Sequence, residues 1–146
     1  MSKISAIADE LVTLLNAGSY TEAFTAVKAY HPVKDLADIS TVQVTVIPAG
    51  IPRQELSDRA ATSDRLYRPD VVMQKRIDPD DSDAVEALLD TCEEICNLVE
   101  GTILTESDVV CEEVENDPAY EIDKVDDYSE FISVISCSFR AYVEKD

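Results

Sequence analysis

The sequence predicts an α+β fold: a mostly antiparallel sheet of about four to five strands, with two helices packed on one face and a long arm-like loop between strands. Three observations predict it. An apolar stripe at helical spacing runs through residues 82–99, β-branched and polar residues alternate over 42–47, and a longer alternation runs from about 128 to 143. A length of 146 residues fits one domain, 1–146, able to bury about 70% of its unfolded surface around a single core.

Taken in order, Ile4, Ile7, Ala8, Leu11, Val12, Leu14 and Leu15 recur at helical spacing, which predicts a first helix over about residues 3–17. Ser2 or Ser5 caps its start and Gly18 stops it. Tyr20, Phe24, Val27 and Tyr30 fit a helical stripe, but the β-rich run ending at His31-Pro32 fits a strand better. The segment Val42-Gln43-Val44-Thr45-Val46-Ile47 reads as a strand central to the sheet, interrupted by Pro48 and Gly50. From about 51 to 67 the chain is polar, basic and without apolar period, which predicts an extended loop or arm. Strand character resumes over 68–77, and Asp78-Pro79-Asp80-Asp81 forms a turn with Ser82 or Asp83 capping the next helix. In that helix Val85, Leu88, Leu89, Cys92, Ile95, Cys96 and Val99 share one stripe ending at Gly101, and the opposite face is acidic. A short strand over 108–114 leads into an acidic loop, about 112–127, broken by Pro118. The closing strand places Phe131, Ser133, Ile135, Cys137, Phe139, Ala141 and Val143 on one side. Ile132, Val134, Ser136, Ser138, Arg140 and Tyr142 fall on the other, and the predicted order is α-β-β-β-α-β-β.

Charge is divided unevenly along this chain. Residues 1–76 hold nine acids against nine Lys/Arg, whereas residues 77–146 hold 22 acids against three, so the second half carries the whole formal charge of −19. One surface must therefore be strongly negative, and the balance argues against binding nucleic acid through a basic face. Arg53, Arg59, Arg65, Arg68, Lys75 and Arg76 lie in one stretch with only four acids, which suggests that subunits pair charge to charge. The first 17 residues contain Asp9 and Glu10, unlike the uncharged core of a signal peptide. No run approaches the roughly 18 apolar residues of a membrane span, so no membrane partner is expected. Four scattered cysteines without a secretory signal point to reduced thiols in a cytoplasmic setting.

Residues that could carry chemistry have structural explanations. Cys92 and Cys96 are one turn apart, but both lie on the apolar stripe, where a thiol behaves as a small hydrophobe. His31 is the sole histidine, which leaves nucleophilic catalysis without a convergent set. Asp78-x-Asp80-x-Ser82 resembles the start of a calcium loop but lacks its glycine and terminal glutamate in register. The three glycines, Gly18, Gly50 and Gly101, are too dispersed to cradle phosphate. The expectation is a protein with no catalytic residues, cofactor or metal.

Several strings together resemble the small neck and tail-end proteins of tailed bacteriophages, the tail-terminator, tail-completion and head-tail joining type. They are Tyr30-His31-Pro32-Val33 with Leu36, Val42 to Pro48, Asp70-Val71-Val72-Met73-Gln74-Lys75-Arg76, the helix after it, Asn116-Asp117-Pro118, and Phe131-Ile132-Ser133-Val134-Ile135. The resemblance implies a structural virion protein, not an enzyme, assembled in the host bacterial cytoplasm. Such proteins form rings, commonly hexameric, that end the tail tube and join it to the head connector while DNA passes without specific binding. In that setting Arg53, Arg59, Arg65 and Arg68 are expected on an interface arm, and Glu112, Glu113, Glu115 and Asp117 are candidates for an acidic lumen. Two alternatives stand beside it: an acidic DNA mimic that occupies a nucleic-acid-binding partner, and a small enzyme with an acidic cleft.

Overall fold

The computed structural model of the chain describes residues 2–33, 41–50, 62–117 and 119–144. Its elements are α1 (Lys3–Asn16), β1 (Ala26–Lys28), β2 (Gln43–Gly50), β3 (Thr62–Arg76), α2 (Ser82–Val99), β4 (Ile103–Leu104), β5 (Val109–Glu115), α3 (Ile122–Tyr128) and β6 (Glu130–Glu144). The α+β class is as the sequence predicts, but the described residues form a six-stranded sheet and three helices. The sheet is mixed: in the order β1-β2-β3-β6-β5-β4, β1 runs parallel to β2 and the remaining neighbours are antiparallel.

The centre of the sheet is the β3–β6 pair, not the strand at 42–47. These two strands are 15 residues each and pair from Thr62 with Glu144 to Arg76 with Glu130. The part of the expected arm at 62–67 therefore belongs to β3, while 51–61 lies outside the described residues. Polarity at Ser63, Asp64 and Arg65 hides this strand in the sequence, because its pairing comes from β6, some 80 residues later in the chain. Pro48 and Pro69, which donate no backbone hydrogen bond, fall where the β2–β3 register slips between Ile47–Asp70 and Gly50–Arg68.

Register puts Val44, Val46, Val71, Met73, Phe131, Ile135, Cys137 and Phe139 on one face, all buried in one core. That face is covered by α1, which supplies Ile4, Ile7, Ala8, Leu11 and Leu15, and by α2, which supplies Leu88, Cys92, Ile95 and Val99. The long side chains Phe131 and Phe139 are fully buried, each contributing on the order of 2–3 kcal/mol of transfer free energy.

Caps follow local chemistry. Ser2 accepts the Ser5 N–H at 3.2 Å to start α1, and Asp81, rather than Ser82 or Asp83, accepts the Ala84 N–H at 3.1 Å to start α2. Gly101 has φ of +78°, the left-handed conformation that ends α2. Gly18 serves differently: α1 ends at Ala17 in right-handed conformation, and a Cβ on Gly18 would lie 2.5 Å from the Tyr20 hydroxyl. Only residues 26–28 of the 20–31 segment form a strand. The acidic loop expected over 112–127 is largely ordered structure, the end of β5 followed by α3, which closes on Ser129 at φ +53°. Short length and a mostly charged sequence leave α3 without a legible helical stripe.

Candidate functional site

Among the described residues no helix packs over the β5 side of the other sheet face, and that side gathers Arg68, Glu112, Glu113 and Glu115. Strand alternation drives this: with Phe131, Ile135, Cys137 and Phe139 turned to the core, Ile132, Val134, Ser136, Ser138 and Arg140 turn outward along β6. The registers then build rows across β3, β6 and β5. Asp70, Ser136 and Glu115 form one row, Glu113 lies opposite Ser138 in the next, and Leu66, Arg140 and Val110 form a third. Ser136 donates to the Asp70 carboxylate at 3.0 Å.

β5 carries an irregularity between Cys111–Phe139 and Glu113–Ser138, so Glu112 is an extra residue in the ladder. Its carboxylate meets the Arg140 guanidinium at 2.8 Å. The bulge thus keeps Cys111 and Val114 turned inward while Glu112, Glu113 and Glu115 are all exposed. Beyond the strand, Asn116 donates to Ser133 Oγ at 2.8 Å and to the Val134 carbonyl at 2.9 Å, which carries the exposed Asp117 over the end of β6. Two shallow depressions result. Arg68, Glu113, Glu115, Ser136 and Ser138 line one, and Glu115, Asp117, Glu121, Ile132, Val134 and Ser136 line the other.

The four expected lumen acids are therefore neighbours, but three come from a strand rather than a loop. The arm assignment changes more. Arg65 and Arg68 belong to β3, and Arg68 shares a depression with Glu113 and Glu115 of its own chain; Arg53 and Arg59 lie outside the described residues. Asp70, Ser136, Ser138, Arg140 and Glu121 complete the face. Period-two reading of β6 places Ser136, Ser138 and Arg140 together, whereas Asp70 joins them through strand order and Glu121 through its N–H bond to the Ile132 carbonyl at 3.3 Å.

Toward its inner end the same face is closed differently. Thr45, Val72 and Gln74 are buried there, and the Gln74 carboxamide accepts the Val33 N–H at 2.9 Å and donates to its carbonyl at 2.8 Å, so the side chain pairs with Val33 as a strand would. His31 is exposed, with Nδ1 3.0 Å from the Pro32 carbonyl.

All four cysteines are free thiols on the helix-covered side. Cys92 Sγ lies 3.7 Å from Met73 Sδ. Burial pushes the Cys96 and Cys111 thiols up to about 11 and raises Cys92 and Cys137 as well, which favours the neutral thiol at physiological pH. Among the described residues no group of three or more His, Cys, Asp or Glu is arranged to hold a metal ion, and no helix is long and apolar enough to cross a membrane.

Fold and face together define an α+β protein whose sheet is packed under helices on one side and studded with carboxylates on the other. No protein-family model matches the sequence, and a search of curated proteins finds no match to it.

Proposed function

We propose that this chain is a structural subunit of a tailed-bacteriophage particle, forming a ring at the tail end or neck that terminates the tail tube and joins it to the head connector. The supporting observation is the collection of Glu112, Glu113, Glu115 and Asp117 on the β5 side of the sheet face opposite α1 and α2. Turned toward a central passage, such a face repels the phosphate backbone, so DNA moves through without contacts that slow it. The subunit works by assembly, not catalysis, in the virion after construction in the host cytoplasm. Six copies are the expected number, from the resemblance.

Each subunit carries −19, so ring closure must overcome mutual repulsion, and salt assists it. Arg68 offsets acids within its own subunit on this reading, so Arg53, Arg59 and Arg65 remain the expected arginines for contacts between subunits. Electron microscopy of particles assembled without the protein tests the function. Overlong tails identify a terminator, detached tails beside filled heads identify a joining protein, and particles indistinguishable from normal overturn the proposal. The lumen assignment has its own test: particles bearing Glu113→Lys and Glu115→Lys should assemble and deliver DNA at least tenfold less efficiently, and full delivery would remove these residues from the passage. Recovery of a nuclease or polymerase from host lysate, in place of tube or connector subunits, would favour the DNA-mimic alternative.

A further inference from the structure

The sheet's short edge strand β1 has an unusual occupant on its open side. Asn16, the last residue of α1, accepts the Ala26 N–H through Oδ1 at 2.7 Å and donates through Nδ2 to the Ala26 carbonyl at 3.1 Å. A single carboxamide thus takes both peptide groups of one strand residue. Which way those groups point follows from the parallel pairing: Ala29 donates to the Val46 carbonyl, so alternate residues Val27 and Ala29 face β2 while Ala26 and Lys28 face away from it. Asn16 therefore covers half of the outward groups of this three-residue strand.

We propose that Asn16 is an edge lock, which stops a second copy of this chain from adding its own strand to β1. The neighbour of Ala26 gives the lock something to prevent. Val27 is a β-branched side chain 51% exposed beside that edge, an invitation to strand pairing. With Ala26 engaged, Lys28 alone remains, and one bridge does not make a ladder. Its ammonium is held by Asp9 at 2.8 Å and Ser5 Oγ at 2.9 Å, both on α1. The lock is rigidly placed, because the turn behind it is pinned: Gly18 donates to the Leu15 carbonyl at 3.2 Å, and the Tyr20 hydroxyl donates to that same carbonyl at 2.7 Å. At the far edge β4 is only two residues long, a different solution to the same hazard. The inference is independent of ring formation and excludes β1 as a surface through which copies pair.

Amide exchange by NMR and sedimentation over a concentration series test it on the full chain. Asn16→Ala should speed exchange at Ala26 about tenfold, the scale of one to two lost hydrogen bonds, and should form concentration-dependent species absent from the parent protein. Asn16→Ala combined with Lys28→Pro, which removes one of the two outward N–H groups then open and leaves Ala26 alone, should abolish those species. A folded Asn16→Ala variant that exchanges Ala26 at the parent rate, or keeps the parent mass at every concentration, overturns the proposal. Should that variant fail to fold, Asn16→Ser, whose side chain is too short to take both peptide groups of Ala26, replaces it, and an unchanged mass in that background overturns the proposal equally.

Discussion

Side chains that stand in for backbone recur through this molecule. Asn16 does so for Ala26 and Gln74 for Val33, while the Glu10 carboxylate accepts the Ser107 N–H at 2.9 Å and Glu94 accepts the Thr21 N–H at 2.8 Å. Gln74, Glu10 and Glu94 each fix a connecting segment whose peptide groups no strand or helix satisfies, while Asn16 satisfies the outward groups of a strand residue. Gln74 is the most consequential, being almost completely buried. Gln74→Leu fills similar volume but leaves the Val33 N–H and carbonyl unpaired, so urea denaturation should show a loss of about 1–3 kcal/mol. Glycine positions separate two mechanisms. Gly101→Ala meets no atom within 4 Å and costs only the left-handed conformation, about 1–2 kcal/mol. Gly18→Ala collides with the Tyr20 ring and should also break the Tyr20–Leu15 hydrogen bond. The thiols give a pH signature with a defined sign. Their folded values lie above the ordinary 9.0, reaching about 11 for Cys96 and Cys111, so above pH 9 the unfolded chain releases protons that the folded chain retains. Stability is whole below that point and falls as pH rises from 9 toward 11, a decline that replacing Cys96 and Cys111 by Ala should flatten in a denaturation series.

At the level of elements, α2 and β6 are legible in the sequence because their burial follows a clean period. Leu88, Cys92, Ile95 and Val99 are buried from the predicted stripe, and residues 131, 133, 135, 137, 139 and 141 are buried in strict alternation. The N-terminal half of β3 is not legible, since a strand whose residues are polar gains its stability from cross-strand pairing, which no local window contains. The cap of α2 is a small miss of the same sort: Asp81, Ser82 and Asp83 all have suitable oxygens, and the geometry of the preceding turn, where Asp81 N–H bonds the Asp78 carbonyl at 3.0 Å, selects the first. Asp81→Ala should lower stability by about 1 kcal/mol in thermal or chemical denaturation, and Ser82→Ala by far less.

For the molecule as a whole, charge dominates. A net charge of −19 on a 146-residue chain implies strong self-repulsion, screened over about 8 Å at physiological ionic strength and about 30 Å at 10 mM. The melting temperature should therefore rise with added sodium chloride from about 10 mM to about 150 mM; an unchanged or falling value would mean that the carboxylates are compensated within the fold. Sequence by itself determines the α+β class, the acidic second half, the core stripe of α2 and the two-sided character of β6, because composition and period are local properties. Tertiary structure alone decides that β3 and β6 are the central pair, that Glu113 and Glu115 stand beside Arg68 and Glu112 beside Arg140, and that Asn16 covers the edge of β1. These depend on strand order, register and bulges, which are fixed by pairing between segments far apart in the chain, and no single segment encodes them.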